Sequence, residues 1–232
     1  MPTFLLRRRA PALREHMDDP GCDRRMLDRT FAQFETLNRR IAGWNGIWRR
    51  HLRKALQRPG SSLLDIGCGG GDVIRHLAEL ARRDGLDVRF TGIDPDPRAI
   101  EYATSRPPEV NIRYCNDGSE SLVADGCVYD AVISNHVLHH LDGLEFARFL
   151  SDSRTLSRSV VVHNDIRRDD LAPLLFQPAR LLFRESFIVP DGIRSIRRSY
   201  TANELRRAAG DEWIVRRLFP YRLLLMCGVD DE

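Results

Sequence analysis

The chain has 232 residues, of which 42% are hydrophobic and 30% are charged, so it is long enough for one domain with a sizeable buried core. Its 36 basic and 33 acidic side chains give a net charge of +3, which argues against a dedicated nucleic-acid-binding protein. No apolar run reaches the length of a membrane span, and the short apolar stretch before Arg7 is unlike a secretory leader. We therefore expect a cytoplasmic protein without a membrane span.

The first quarter of the chain divides into two predicted segments. Residues 1–21 contain three prolines and predict a flexible tail. In residues 22–57, apolar side chains recur every three or four positions, which is the spacing of an amphipathic helix. This second segment is predicted to form an N-terminal helical cap that Gly43 and Gly46 divide into two helices, and the main domain is predicted to occupy residues 58–232.

Strand and helix patterns alternate through the main domain. Apolar runs at residues 63–66, 88–94, 110–115, 128–134 and 160–163 predict strands, and amphipathic segments between them predict helices. This alternation is typical of an α/β fold with a parallel sheet covered on both faces. The last two runs, residues 213–219 and 221–227, are separated only by Pro220, so they are predicted to pair antiparallel.

One segment interrupts this alternation. Residues 169–199 are rich in leucine and phenylalanine and contain several prolines, so they are too apolar for a solvated loop. We expect this cap insert to form short helices that, with the N-terminal helices, cover the carboxyl ends of the strands. The aromatic residues that could then line a hydrophobic pocket are Trp44, Trp48, Phe176, Phe183 and Phe187.

A glycine-rich loop follows the first strand. Asp65 ends the strand, and Gly67, Gly69 and Gly71 alternate with other residues before a helix begins at Asp72. Such glycines let the backbone turn sharply and approach a ligand closely. Because the loop does not match the spacing of a dinucleotide site and an acid opens the helix, a nucleoside-like zwitterion is the favoured ligand.

A second acidic residue ends the next strand. Asp94 lies 23 residues beyond Gly71, where nucleotide-binding sheets place the acid that binds ribose hydroxyls. A carboxylate can accept hydrogen bonds from both hydroxyls of a cis-diol. The adjacent Asp96 is predicted to cap the following helix instead.

Together, these motifs resemble the class I methyltransferases that depend on S-adenosylmethionine (SAM), in the small-molecule branch that modifies natural products and quinones. The resemblance implies a Rossmann-like, seven-stranded, mostly parallel sheet with an antiparallel last strand, and makes residues 58–232 the catalytic domain. It implies that the glycine loop faces the methionine part of SAM, Asp94 the ribose and Asp117 the adenine amine. The segments that carry it are residues 63–72, 92–94, 116–117, 129–134 and 138–141. The predicted cofactor contacts are Asp65, Gly67, Gly69, Gly71, Asp94, Pro95, Asn116, Asp117, Gly118 and Ser134.

The candidate catalytic residues are His139, His140 and Asp165. Methyl transfer to a hydroxyl requires loss of its proton, and a carboxylate that orients a histidine makes it a better base. A purely structural role for each histidine stays open, and no metal site is predicted, because a magnesium site would need a further carboxylate after the fourth strand.

We expect O-methylation of a small, largely apolar, hydroxylated acceptor of phenolic or polyketide-like chemistry. Two alternatives stay open, C-methylation of a quinone-like ring and a non-catalytic module that only binds the cofactor. The expected partners are the small-molecule acceptor and no nucleic acid, and a homodimeric assembly is left open.

Overall fold

The fold is known from a computed structural model, which describes residue 6 and residues 8–228. The helices are α1 (Arg24–Ile41), α2 (Trp44–Ile47), α3 (Asp72–Arg83), α4 (Pro97–Ser105), α5 (Ser119–Ala124), α6 (Gly143–Thr155), α7 (Ala172–Phe176), α8 (Ile188–Arg198) and α9 (Ala202–Ala209). The strands are β1 (Ser61–Ile66), β2 (Val88–Ile93), β3 (Ile112–Cys115), β4 (Tyr129–Asn135), β5 (Ser157–Ile166), β6 (Ile214–Leu218) and β7 (Arg222–Cys227).

Over the described residues, the strands form one seven-stranded sheet in the order β3-β2-β1-β4-β5-β7-β6. The pairs among β1 to β5 are parallel, and β7 is antiparallel to both of its neighbours, β5 and β6. The predicted α/β fold with an antiparallel last strand is therefore confirmed. Strand order reverses between β1 and β4, and ligands of such sheets bind in the crevice at this point, beyond the carboxyl ends of the strands.

Several elements differ in extent from their predictions. Strand β5 covers Ser157–Ile166, six residues longer than the apolar run at 160–163. Gly43 separates α1 from α2 with φ of 77°, as expected, whereas Gly46 lies inside α2. Helix α2 continues directly into a π-helical turn, Trp48–Leu52, because tertiary packing of its apolar side chains outweighs the low helix propensity of glycine.

Each face of the sheet is covered by a hydrophobic core. One core packs α2, the π-helical turn and α3 against the sheet, and the other packs α6 and α9 against the opposite face. Trp44 and Trp48 are fully buried in the first core, so the expectation that they line a pocket is wrong. The indole of Trp48 donates a hydrogen bond to Asp84 at 2.9 Å.

The N-terminal segment, residues 8–21, lies across the carboxyl edge of the sheet. The backbone N–H of Ala10 donates to the carbonyl of Arg197 in α8, and the Arg9 guanidinium lies over the Tyr200 ring at 3.6 Å. The Asp191 carboxylate accepts hydrogen bonds from two successive backbone N–H groups, those of His16 and Met17. This packing differs from the flexible tail expected for residues 1–21, of which residues 1–5 and 7 lie outside the described part.

The cap insert contributes α7, a 3₁₀ turn (Gln177–Leu181) and α8. Helix α8 packs against α1, so both cap segments meet above the sheet edge. In the part of the chain that the structure describes, no helix combines the length and apolar character needed to cross a membrane.

Candidate active site

The glycine loop follows β1 at the reversal of strand order. Gly67, Gly69 and Gly71 all have positive φ, at 72°, 52° and 78°. The backbone N–H groups of Gly67 and Cys68 donate to the carbonyl of Ile93 at 2.8 and 2.9 Å, which ties the loop to the end of β2. A side chain at Gly67 would meet Val137 at 2.6 Å, and one at Gly71 would collide with Tyr114. Glycine is thus required at these positions by the positive φ and by the side chains that lie close to the backbone.

Three carboxylates surround this loop. Asp65 is buried, and neither of its oxygens has a hydrogen-bond partner among the described residues. Asp72 opens α3 and accepts from Asn38 at 2.9 Å. Burial raises the pKa of Asp65 well above its usual range and the pKa of Asp72 to about 6. A ligand that brings a cation would restore the ionised form of these carboxylates and supply Asp65 with a partner.

Asp94 fixes the loop in place. One carboxylate oxygen accepts from the N–H of Gly69 at 2.9 Å and the other from the N–H of Asp96 at 2.9 Å. Burial raises the pKa of Asp94, although these two hydrogen bonds favour its ionised form. Each oxygen keeps a second lone pair, so the carboxylate can also accept from ligand hydroxyls. Asp96 caps α4 as predicted, accepting from the N–H of Arg98.

The remaining predicted cofactor contacts lie in three places. Pro95 lines the cavity described below. Asn116, Asp117 and Gly118 follow β3, where the Asn116 amide donates to the Asp94 carbonyl, and none of the three lines that cavity. Ser134 is fully buried in β4 and hydrogen-bonded to Nδ1 of His163 at 2.8 Å, so its hydroxyl faces the protein interior.

A cavity of about 750 Å³ joins the glycine loop to the cap. This volume is within the range of small-molecule sites. Its lining combines acidic and glycine residues with aromatic and histidine side chains. The first group includes Asp65, Gly67, Gly69, Asp72, Asp94 and Pro95, and the second includes Phe31, Phe34, His136, His139, His140 and Phe176.

His139 lies between two carboxylates. Its Nδ1 is 2.7 Å from Oδ1 of Asp165, and its Nε2 is 3.1 Å from Oε1 of Glu15. Both ring nitrogens therefore donate, which is the hydrogen-bonding pattern of an imidazolium. Although burial opposes the charge, Asp165 and Glu15 raise the pKa of His139 to about 9. The predicted pair of His139 and Asp165 is thus present as a contact, but His139 holds its proton at neutral pH.

His140 has the opposite character. It is about one-third exposed, with Nδ1 3.5 Å from Asp18 and Nε2 3.8 Å from Glu15. Burial and the adjacent positive charge of His139 lower the pKa of His140 to about 3, so its ring is neutral. A metal bridging Glu15, His139 and His140 would have to displace the His139 proton that two carboxylates stabilise.

Two parts of the site were missed in the sequence analysis. Glu15 is 6% exposed and also accepts from the Ser195 hydroxyl at 2.7 Å, although it belongs to the expected tail. Arg222 is buried at the start of β7, where its guanidinium contacts His136, Asn135 and Asn164. Arg222 directly precedes the apolar run of residues 223–227, and this pattern indicates a buried charge. Nothing in the sequence around Glu15 indicates that its side chain is buried.

Residues 63–159 match the family described as a methyltransferase domain. Over these residues the chain is similar to a methyltransferase domain. The resemblance to class I methyltransferases noted in the sequence is thereby confirmed, and the matched segment carries the glycine loop, Asp94 and both candidate catalytic histidines.

Curated relatives match the same central part of the domain. The ubiquinone biosynthesis O-methyltransferase of Methylobacterium sp. (strain 4-46) is 38% identical over 92 residues, 38% of this chain and 34% of that protein. The protein of the same name in Methylocella silvestris is 34% identical over 121 residues, 47% of this chain and 45% of that protein. The chain thus spans less than half the length of these relatives.

Solved structures share the fold of the methyltransferase domain. The plantazolicin methyltransferase BpumL, in complex with SAH, has a TM-score of 0.59 at 12% identity, covering 89% of this chain and 95% of that chain. Human N-acetylserotonin methyltransferase, in complex with SAM, has a TM-score of 0.62 at 11% identity, covering 90% and 57%. The ligands of these neighbours agree with the cofactor expected from the sequence.

Proposed function

We propose that this protein is a SAM-dependent methyltransferase that transfers a methyl group to an oxygen of a small, largely apolar, hydroxylated acceptor of phenolic or polyketide-like chemistry. The observation that carries the proposal is the buried Asp65 carboxylate, which lines the cavity beside the glycine loop without a partner. A buried acceptor without a hydrogen bond is costly unless a ligand satisfies it. The ammonium group of a methionine moiety is a donor of the required charge.

The acidic part of the cavity lining fits the rest of the cofactor. Asp94 offers free lone pairs to a ribose diol, and its contact with Gly69 keeps the loop open at the same place. The negative charge of Asp65, Asp72 and Asp94 suits SAM, which carries two positive charges and one negative charge. It does not suit a pyrophosphate.

The apolar part of the cavity lining supports an apolar acceptor. Phe31 and Phe34 reach it from α1, and Phe176 and Ile188 reach it from the cap insert. An apolar lining with a few polar groups selects ring compounds over sugars, because burying sugar hydroxyls without partners costs free energy. The curated relatives are ubiquinone biosynthesis O-methyltransferases, an activity that agrees with this chemistry.

His139 and His140 have different roles in this mechanism. Bound SAM supplies a methyl group on a positively charged sulfur. His140 is neutral and lines the cavity, so it can accept the acceptor's proton, whereas His139 is held as a cation by Asp165 and Glu15. Asp165 and His139 are therefore positioning residues beside the base. Asp65 and Asp94 would hold SAM, which would give its methyl group to the acceptor oxygen and keep the electron pair of the broken C–S bond.

Replacing Asp94 by alanine tests the cofactor site. We expect SAM binding, measured by calorimetry, to weaken by about 1.5–3 kcal/mol, the usual contribution of hydrogen bonds to a charged group. The matched control is Asp87→Ala, which removes a carboxylate that accepts the backbone N–H of Gly60 at the opposite edge of the sheet. Unchanged affinity in Asp94→Ala, or an equal loss in the control, would contradict the assignment.

Replacing His140 by alanine tests the base. We expect kcat on a phenol that gives measurable turnover to fall about 100-fold, the lower end of general-base contributions, because a pKa of about 3 makes this ring a weak base. SAM affinity should stay unchanged, and His51→Ala, outside the cavity, serves as the control. Full activity of His140→Ala on every phenol tested would show that His140 is not the base.

A further inference from the structure

Arg222 is a buried cation without an ion pair among the described residues. Its Nε donates to Oδ1 of Asn164 at 2.9 Å, and Nη2 donates to Oδ1 of Asn135 at 2.8 Å and more weakly to the Asn164 carbonyl at 3.4 Å. Its Nη1 donates to Nε2 of His136 at 2.7 Å. These contacts use four of the five guanidinium N–H groups, and all of the acceptors are neutral.

The tautomer of His136 follows from this contact. A guanidinium can only donate, so Nε2 of His136 must accept and Nδ1 must carry the proton. Nδ1 has no hydrogen-bond partner within the described ranges, and the ring lines the cavity. Burial and Arg222 lower the pKa of His136 well below its usual range, so the ring stays neutral and acts as a donor.

The backbone at His136 is itself unusual. Its φ of 63° lies in the left-handed region, which a histidine adopts only when surrounding contacts impose it. Strained residues of this kind concentrate at functional sites. His136 directly follows β4 beside the glycine loop, where the side chain of the next residue, Val137, occupies the space next to Gly67.

We propose that Arg222 and His136 together bind the ionised oxygen of the acceptor, so that this protein selects compounds with a weakly acidic hydroxyl, a phenol or an enol conjugated to a carbonyl, over aliphatic alcohols. This inference rests on the proposed methyltransferase function and specifies its substrate class. The free N–H of Arg222 and the Nδ1–H of His136 supply two donors, one of them cationic, in the cavity lining.

The charges around this pair allow an anion to bind. Both Asp165 oxygens are engaged, with the His139 ring and with the backbone N–H groups of His139 and Ile166. Glu15, His139 and Asp165 sum to one negative charge, which Arg222 cancels. An ionised acceptor would therefore meet no net negative charge from these four groups, and the positive sulfur of the methyl donor would favour it further.

The test uses 4-nitrophenol, whose colour reports its ionisation, with protein saturated with S-adenosylhomocysteine. We expect bound 4-nitrophenol to ionise at a pH lower than free 4-nitrophenol by at least one unit, the usual effect of an adjacent buried cation. In Arg222→Met this shift should disappear. His136→Gly, which suits the positive φ and removes the ring donor, should lose part of the shift.

The control is Arg217→Met, an exposed arginine on β6 of the same hairpin, which should keep the full shift. Calorimetry with S-adenosylhomocysteine on each variant separates the two proposals. If wild-type protein fails to bind S-adenosylhomocysteine, the proposed function fails. If it binds S-adenosylhomocysteine, then an absent shift in wild type, no binding of 4-nitrophenol, or a full shift in His136→Gly and Arg222→Met overturns the anion site alone.

Discussion

A valine at position 69 is expected to abolish SAM binding. Gly69 has a φ of 52°, which a β-branched residue tolerates poorly, and its missing side chain leaves open space toward the cavity, with only Phe31 at 3.9 Å. A valine would strain the loop and fill the place where the ligand's methionine part is proposed to lie. Its backbone N–H would also be drawn away from Asp94.

The control for Gly69→Val separates backbone strain from blocked space. Gly85 has a similar positive φ of 70°, and nothing lies within 4 Å of its missing side chain, but it sits in the turn after α3. Gly85→Val should lose stability yet bind SAM with unchanged affinity in calorimetry. If Gly69→Val binds SAM as tightly as wild type, the loop does not hold the cofactor.

Replacing His139 by alanine should cause the largest loss of stability. The variant leaves Glu15 and Asp165 buried without the cation between them. Removing one partner of a buried ion pair typically costs about 3–5 kcal/mol of stability. The free energy of unfolding, measured by denaturant titration, checks this. The double variant Glu15→Ala with His139→Ala should lose less free energy of unfolding than the two single variants together. Each substitution alone already removes the contact between the two side chains.

The stability of wild type should also depend on pH through His139. The folded-state pKa of about 9 lies above the unfolded value near 6.5, so the folded state holds the proton more tightly. This contribution is complete below pH 6.5 and is lost as the pH rises through 9. In denaturant titrations across this window, the free energy of unfolding of wild type should decline as the pH rises, and this decline should be absent in His139→Ala. An equal decline in both proteins would mean that another group causes the pH dependence.

The sheet could be predicted because its signals are local. Each apolar run and each glycine lies within one element, and a link as short as Pro220 permits only an antiparallel pair. The buried cluster could not be predicted in this way. Glu15 meets His139 at a separation of 124 residues and Ser195 at 180, so nothing near Glu15 in the chain marks it as buried.

The two adjacent histidines show the same limit of prediction from sequence. His139 and His140 are adjacent, yet one pKa is raised to about 9 and the other is lowered to about 3. The difference arises because His139 has both ring nitrogens within hydrogen-bonding distance of carboxylates, at 2.7 and 3.1 Å, whereas the carboxylates nearest His140 lie at 3.5 and 3.8 Å and His140 is beside the charge of His139. The sequence predicted that this pair mattered, but the assignment of proton donor and acceptor needed the tertiary structure.

The distribution of the site along the chain has a practical consequence for truncation. The family match ends at residue 159, inside β5, so a fragment cut to residues 63–159 would lack the rest of β5 and all of β6 and β7. It would expose the inner edge of β4, an unpaired strand edge of the kind that promotes aggregation. A shortened chain that starts after Glu15 would keep the sheet but leave Ser195 and Nε2 of His139 without their carboxylate partner. The smallest unit that retains the whole acceptor pocket therefore runs from the N-terminal segment through β7.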